Sequence, residues 1–178
     1  QRDSELYSDL CRGEAPSPSW FGSISQATDR EARYRASEDF ESDRRFWSNY
    51  LSDNAKPTRL IEKIAPPGAS PIRHTAVFKK ETVTVLSGIA DSAGISFSRF
   101  IIAALFAYLY RATGNPSPTV NLPVSSRSPE DRQTPGMMVN VLPLRIPVGP
   151  SVKICELGAL VDREILRILP HKRYPLVE

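Results

Sequence analysis

The stretch from Thr134 to Ile146 reads Thr-Pro-Gly-Met-Met-Val-Asn-Val-Leu-Pro-Leu-Arg-Ile, and it decides the fold class of the chain. After a Pro-Gly turn signal it runs almost entirely apolar, which predicts a strand buried on both faces. Asn140 interrupts the apolar run, and a buried amide costs free energy unless its donors and acceptors find partners. Pro143 lacks a backbone donor, so we expect the strand to lie at a sheet edge or a bulge, or to end its regular pairing there.

Helical and strand patterns alternate along the rest of the chain, which predicts an α/β layered domain. The apolar helix over 97–113, with Ser96 as its N-cap and Gly114 as its stop, is expected to be buried on nearly all sides. The charged region 28–53 predicts one long amphipathic helix, or two with a break near Ser37. The other predicted helices cover 1–12, 81–93 and 151–169, and short strands are predicted at 74–80 and 119–124.

Length and composition are those of a soluble globular protein. The chain has 178 residues, of which 40% are hydrophobic and 24% charged. The net charge of +3 comes from 23 basic and 20 acidic residues that are scattered, which does not favour nucleic acid as a partner. Prolines cluster between Asn54 and Arg73, which predicts a linker there. We expect no signal peptide in this sequence, and the most apolar run, Ile101 to Tyr110, is shorter than the roughly 18 residues that a membrane helix needs.

The residue types that carry metal or nucleophilic chemistry are sparse in this chain. Cys11 and Cys155 are far apart, so we expect reduced thiols in a cytosolic protein and no disulfide. His74 and His171 have no ligand-spaced partners, which argues against a metal site; His171 is expected to face the last carbonyls of a helix. The sequence also lacks Gly-x-Ser-x-Gly and a glycine-rich phosphate loop. These patterns predict an α/β chain without a self-contained active site.

Both ends of the chain fall within sequence patterns that are typical of a structure that continues. The chain starts at Gln1 within a helical pattern and stops at Glu178, soon after Tyr174-Pro175. We therefore expect it to be a fragment of something longer.

Four segments of the chain resemble motifs of the condensation domains of non-ribosomal peptide synthetases, which belong to the chloramphenicol acetyltransferase-like superfamily. The segments occur along this chain in the same order as the motifs occur in the family. The third is the opening stretch, which is similar to the family's Gly-x-x-x-Asn-x-x-Pro-x-Arg motif, and its Asn-Val-Leu-Pro-Leu resembles the siderophore-type members. The fourth, His171-Lys-Arg-Tyr-Pro175, is similar to the family's His-Gln-x-Tyr-Pro. The first two are Tyr34-Arg-Ala-Ser-Glu-Asp-Phe-Glu-Ser-Asp-Arg-Arg-Phe-Trp47, and Ile95-Ser-Phe-Ser-Arg-Phe-Ile-Ile-Ala-Ala-Leu running to Tyr-Arg-Ala-Thr-Gly114 and on to Pro123-Val-Ser-Ser-Arg127.

The resemblance implies a partial chloramphenicol acetyltransferase-like two-layer sandwich. Residues 1–53 would be the end of the N-terminal lobe and its connecting helices, 54–73 a Pro-rich linker, and 74–178 a partial C-terminal lobe. The family's catalytic signature, His-His-x-x-x-Asp-Gly, is absent from this sequence. In the family it lies just upstream of the helix that opens this chain, and a groove between the two lobes holds the catalytic site.

The resemblance also assigns roles to individual residues. Spacing alone leaves Arg127, which follows a predicted strand, as either a cleft residue or a surface arginine. The family implies that Arg127 forms an ion pair with the signature aspartate, and that Asn140 faces the substrate channel. Met138 and Leu142 are expected on the same side as Asn140 because side chains alternate along a strand. Arg145 is the weaker candidate, which closes the strand at the surface.

The function implied is amide formation between two substrates held as thioesters on carrier proteins. The expected cofactor is the phosphopantetheine arm of a carrier protein, with none bound directly. The expected partners are a peptidyl or aryl carrier protein and a neighbouring adenylation domain. The alternatives are a non-catalytic module that docks a carrier protein and a coenzyme A-dependent acyltransferase of the same superfamily. Without the signature histidine the chain alone is expected to be inactive, and apolar surface exposed by the missing half predicts self-association or a bound second chain.

Overall fold

The computed structural model describes residues 2–15, 21–52, 58–60 and 73–176. Most of the predicted linker 54–73 therefore lies outside the described residues, with 58–60 and 73 as the exceptions. Within the described ranges the chain forms six α-helices, two β-strands and short 3-10 helices at Pro129–Asp131 and Leu169–His171. The helices and strands are α1 (Arg2–Cys11), α2 (Ile24–Arg35), α3 (Glu38–Tyr50), α4 (Lys80–Ser92), α5 (Phe97–Thr113), β1 (Thr119–Ser125), β2 (Val139–Arg145) and α6 (Ile154–Ile168).

The two strands form an antiparallel ribbon in which Leu122 faces Leu142. In the described part of the chain β2 pairs with β1 alone, so the edge position predicted for Pro143 is confirmed. Pairing runs on past Pro143 to Arg145, so an interruption at the proline is wrong. An edge strand tolerates a proline because alternate N–H groups point away from the neighbouring strand and add no ladder bond.

The ribbon is buried on one face only. Leu142 and Leu144 of β2 have no exposed surface, whereas Val139 and Val141 on the opposite face are 54% and 42% exposed. The prediction of a strand buried on both faces is therefore wrong for the described residues. The physical reason is that the described helices pack against the leucine face and leave the valine face open.

One hydrophobic core joins the ribbon to three helices. Each fully buried Leu or Ile side chain in it contributes about 1.5–3 kcal/mol relative to an exposed one. Trp47 of α3 lies in this core, so helices predicted for the 1–53 segment pack together with the elements of 74–178. The division of the chain into lobes stays a prediction. The core residues are Trp47, Ala103, Phe106, Leu142, Leu144, Ile146, Val148, Leu157, Val161, Ile165 and Ile168.

Three helix ends lie where the sequence predicts their caps, whereas α2 begins at Ile24, before the predicted start at residue 28, and α6 begins at Ile154, after the predicted start at residue 151. The Oγ of Ser37 accepts a hydrogen bond from the backbone N of Phe40, which confirms two helices with a break at Ser37. Ser96 caps the start of α5 in the same way through the backbone N of Arg99. Gly114, with φ of 68°, ends α5 in the left-handed conformation that glycine adopts without strain.

Two further predicted features differ from the structure. Residues 73–79 form no regular secondary structure, and Val77 and Phe78 are exposed, so the predicted strand at 74–80 is wrong. A short alternating run without a partner strand does not gain the pairing that stabilises a sheet. Helix α5 is buried along one side, but Ile101, Leu105 and Tyr108 are exposed along the other, so its complete burial is also wrong.

No single described helix is long and apolar enough to cross a membrane. Helices α4 and α5 reach the required length and composition only as a pair, and they bend by 94° at the break between them.

Candidate functional site

A cavity of about 850 Å³ opens between α2, the loop that joins the two strands, and the segment 173–175. The predicted channel residues Met138 and Asn140 both line it. Leu142 does not: its side chain is fully buried in the core, so the channel role predicted for it finds no support in this chain. The wall on the side of α2 includes Arg30 and Tyr34.

Arg127 organises the loop of residues 126–136, which we call the arginine loop. Its Nη1 donates to the carbonyl oxygens of Asp131 at 2.6 Å and Thr134 at 2.5 Å, and its Nη2 donates to that of Gly136 at 2.7 Å. A guanidinium carries five N–H groups. In the described part of the chain these contacts leave Nε–H and one N–H of Nη2 for a further acceptor. The ion pair predicted for Arg127 needs donors of this kind, and it stays a prediction.

Asp131 connects the arginine loop to helix α2. One carboxylate oxygen, Oδ1, forms an ion pair with Nη2 of Arg30, and the other, Oδ2, accepts a hydrogen bond from the hydroxyl of Ser128 at 2.6 Å. The hydrogen bond from Arg30 is the largest cause that holds the pKa of Asp131 below its ordinary value, and Ser128 adds to it. Sequence reasoning missed this pair because no local pattern joins residues 101 positions apart.

Asn140 bridges strand β2 and the segment that follows α6. Its Nδ2 donates to the carbonyl oxygens of Lys172 at 2.8 Å and Tyr174 at 2.7 Å, and its Oδ1 accepts from the backbone N of Val141. Both amide hydrogens therefore serve the fold, which removes the cost expected for an amide within an apolar strand. Asn140 lines the cavity, and its carbonyl oxygen has a second lone pair that can accept a further hydrogen bond.

His171 does not point to the last carbonyls of a helix, as the sequence predicted. Its Nδ1 lies 2.7 Å from Oδ1 of Asp43, and Oδ2 of Asp43 accepts a hydrogen bond from the hydroxyl of Tyr34 at 2.6 Å. Its ring stacks on Phe46 with 3.7 Å between centroids. A carboxylate is a stronger hydrogen-bond acceptor than a backbone carbonyl, which explains the difference. We call Tyr34, Asp43 and His171 the carboxylate network.

Burial is the main cause that raises the pKa of Tyr34 well above its ordinary value, and the hydrogen bond to Asp43 raises it further. Tyr34 therefore acts as a donor to the carboxylate throughout the physiological pH range. The network joins the first and fourth family-like segments, because Tyr34 and Asp43 lie in one and His171 begins the other.

Arg145 closes β2 beside Tyr50 and away from the main cavity. Its backbone N donates to the hydroxyl of Tyr50, and its guanidinium lies 6.0 Å from the centre of the Tyr50 ring. Burial also raises the pKa of Tyr50. This position at the strand end agrees with the lower rank that the sequence gives Arg145.

The part of the chain that the structure describes contains no group of three His, Cys, Asp or Glu residues able to hold a metal ion. Cys11 is exposed and Cys155 is half-buried, and both are free.

A family model described as condensation domain matches residues 4–178. The dimodular nonribosomal peptide synthase of Bacillus subtilis (strain 168) is 31% identical over 175 residues, which are 98% of this chain and 7% of that protein. The first condensation domain of the CDA synthetase superposes with a TM-score of 0.83 at 31% identity and covers 97% of this chain. A mutant starter condensation domain of rhizomide synthetase, in complex with C8-CoA, superposes with a TM-score of 0.82 at 34% identity and covers 98% of it.

The chain spans 39% of the CDA synthetase structure and 40% of the rhizomide synthetase structure. The partial α/β fold predicted from the sequence is thus confirmed as part of the condensation-domain fold. Taken with the order of the four motif-like segments, the match over residues 4–178 shows that the chain belongs to the condensation domain family of non-ribosomal peptide synthetases.

Proposed function

We propose that this chain is part of a domain that joins an acceptor amine to a donor acyl group. Both substrates would arrive as thioesters on carrier proteins. The amine attacks the thioester carbonyl, the new C–N bond replaces the C–S bond, and the donor carrier's thiol leaves with a proton. The observation that carries the proposal is the arginine loop. Three carbonyl contacts fix the Arg127 guanidinium and leave two of its N–H groups for a further acceptor, and Ser126, Ser128 and Asp131 of the same loop line the cavity of about 850 Å³.

The role of Arg127 in this reaction is to hold the aspartate of the signature His-His-x-x-x-Asp-Gly. Three carbonyl contacts fix the direction of the guanidinium, and the two remaining N–H groups match the two oxygens of a carboxylate. An aspartate that loses such a partner is a poorly solvated charge and destabilises its surroundings by several kcal/mol. The loop that carries the catalytic histidine would then lose its position.

The described residues supply the wall of the site and not its acid–base group. The signature histidine positions or deprotonates the amine, and proximity of the two bound substrates supplies much of the rate. Met138 gives the wall an apolar contact, and the Oδ1 of Asn140 accepts a hydrogen bond from a substrate amide. The chain by itself is inactive in this proposal because it lacks the histidine.

The proposal includes a carrier protein with its phosphopantetheine arm and a neighbouring adenylation domain as partners. The product is a secondary metabolite of the siderophore or antibiotic kind, and the site of synthesis is the cytoplasm. The open valine face of β2 and the exposed side of α5 support contact with the rest of the domain or with a second copy.

The test uses the full-length protein that contains this chain, with donor and acceptor loaded on carrier proteins, and measures amide formation by mass spectrometry. Arg127→Ala should lower the rate by about 100-fold, since a misplaced catalytic group costs that much. Arg127→Lys should not restore it, because an ammonium lacks the planar fork. Arg132→Gln, an exposed arginine of the same loop, is the matched control. Amide formation by the 178-residue chain alone would contradict the proposal, as would full activity of Arg127→Ala.

The second candidate is transfer of an acyl group from coenzyme A. The rhizomide synthetase structure in complex with C8-CoA is the observation that favours it. Replacing the loaded donor carrier protein by an acyl-coenzyme A in the same assay separates the two donors. Binding of the carrier protein without turnover by the full-length protein would instead support a docking module.

A further inference from the structure

We propose that Asp131 is a positioning residue for the amide-forming reaction and that it acts through Arg127. This inference rests on the proposed function, in which Arg127 holds the signature aspartate. Asp131 touches no reacting atom; its effect comes from where it places the carbonyl groups that Arg127 binds.

Asp131 contacts both arginines, with different atoms. Its carboxylate pairs with Arg30 of α2, and its backbone carbonyl oxygen accepts a hydrogen bond from Nη1 of Arg127 at 2.6 Å. The position of α2 is thereby transmitted to the guanidinium of Arg127 through one residue of a single-turn 3-10 helix.

The ion pair of Arg30 and Asp131 is partly shielded from solvent, so its loss should affect the position of the arginine loop. The side chain of Asp131 is 11% exposed, and the side chain of Arg30 is 25% exposed. Loss of one charge leaves the other poorly solvated, so the loop cannot keep its place without cost. An ion pair at an open surface would not have this effect.

A second contact ties the same loop to the start of α2. The backbone N of Gly22 donates to the carbonyl oxygen of Gln133 at 3.0 Å. A Cβ placed on Gly22 would lie 2.6 Å from Oγ1 of Thr134, so the two segments are in close contact. Because the carbonyl of Thr134 also binds Arg127, two of the three acceptors of that guanidinium are held from the side of α2.

The alternative is that Asp131, which lines the cavity, binds a substrate directly. Both of its carboxylate oxygens are already engaged, Oδ1 by Arg30 and Oδ2 by Ser128. A group whose oxygens are both bound from its own side is better suited to hold a loop than to capture a ligand.

Asp131→Asn in the full-length protein tests the inference. The amide keeps the shape and an acceptor for Ser128 but loses the charge that pairs with Arg30. We expect kcat to fall about 10-fold with KM for both loaded carrier proteins unchanged, the pattern of an effect on the transition state alone. Asp29→Asn makes the same change at an exposed position of α2 and should leave both constants as in the wild type.

Two further comparisons separate positioning from general loss of structure. Arg30→Met should reproduce the fall in kcat, and Arg30→Lys, which keeps the positive charge, should recover a large part of it. Asp131→Asn added to Arg127→Ala should cause no further loss, because both act on the same step. If Asp131→Asn gives little folded protein, the kcat values of Arg30→Met and Arg30→Lys test the ion pair instead, because these variants change its other partner.

Several outcomes would overturn the inference while the proposed function stands. One is an unchanged kcat in Asp131→Asn beside an inactive Arg127→Ala, and another is a raised KM with the wild-type kcat, which indicates direct binding. Losses that add to that of Arg127→Ala would also overturn it. Absence of amide formation by the wild-type protein would instead overturn the proposed function, and this inference with it.

Discussion

The imidazole of His171 and the carboxylate of Asp43 are hydrogen-bonded at 2.7 Å, although 128 positions separate them in the chain. The backbone carbonyl of His171 also accepts a hydrogen bond from Nε1 of Trp47, one helical turn beyond Asp43 in α3. These bonds anchor the segment after α6 to α3 at two points. The same segment supplies the two carbonyl groups that accept hydrogen bonds from Asn140, so it connects α3, α6 and β2.

His171→Ala should destabilise the protein by about 2–3 kcal/mol, because it leaves the buried Asp43 carboxylate with fewer partners. Urea unfolding of the purified protein measures the change. Ser48→Ala, at an exposed position of α3, is the control and should stay within about 0.5 kcal/mol of the wild type. An equal, small effect of both variants would show that the His171–Asp43 bond does not stabilise the fold.

Stability should fall as the pH rises above about 10, the pKa of an exposed tyrosine. The folded state raises the pKa of Tyr34 and Tyr50, so it keeps their protons where the unfolded chain has released them. Their stabilisation is therefore complete below pH 10 and is lost as pH rises toward the higher folded pKa. Chemical denaturation between pH 8 and 11 measures the slope, and Tyr34→Phe should reduce it. A slope identical in the variant would exclude Tyr34 as its source.

Leu142→Ala should cost about 2–5 kcal/mol, as expected for a cavity in a packed core. Val141→Ala, the neighbouring position on the open face, should cost less than about 1 kcal/mol. Thermal unfolding of the two variants provides the comparison. A stable Leu142→Ala protein with an altered KM for its substrates would instead restore the channel role that the sequence predicted.

Asn140→Ala should destabilise the protein by about 1–3 kcal/mol, since the carbonyls of Lys172 and Tyr174 lose their donor. Asn121→Ala, at an exposed position of β1, removes the same amide without these contacts and is the control. The unfolding free energies of the two variants, compared with that of the wild type, test the structural role of Asn140. A change in KM without a change in stability would show that the amide serves substrate binding alone.

Gly22→Ala should destabilise the protein by about 1–3 kcal/mol, because the new Cβ would overlap Oγ1 of Thr134. Thr134→Ala removes that oxygen, so the double variant should recover much of the loss. Gly88→Ala is the matched control: a Cβ on this helical glycine meets no atom within 4 Å, and alanine should stabilise α4 by about 0.5–1 kcal/mol. Additive effects at positions 22 and 134 would contradict the predicted overlap.

Three helix ends and most of the order of the elements could be predicted because they depend on neighbouring residues. For Pro143 the sequence left an edge, a bulge or an interruption open, and only the pairing of β2 with β1 decided between them. Ser37, Ser96 and Gly114 act through bonds or backbone angles within their own turn. The prediction of a strand at 74–80 was wrong because it rested on local alternation alone. A strand also needs a partner strand, which the local sequence does not specify.

The candidate site could be predicted only in part. The resemblance drew attention to Arg127 and to Asn140, yet nothing in the sequence indicated the carbonyls that each binds. Leu142 shares a face with Asn140, as alternation requires, but α6 packs over that face and makes Leu142 a core residue. Whether a strand face becomes core or channel wall depends on which element covers it.

The sequence by itself determined most of the elements, the caps at Ser37, Ser96 and Gly114, and the family, because these follow from short-range patterns and from motifs in order. Only the tertiary structure decided that Arg30 forms an ion pair with Asp131 and that His171 is hydrogen-bonded to Asp43. It also decided that Asn140 donates both amide hydrogens to backbone carbonyl groups. Such contacts join residues far apart in the chain. They arise from packing geometry and from the cost of burying a polar group without a partner, and a local pattern records neither.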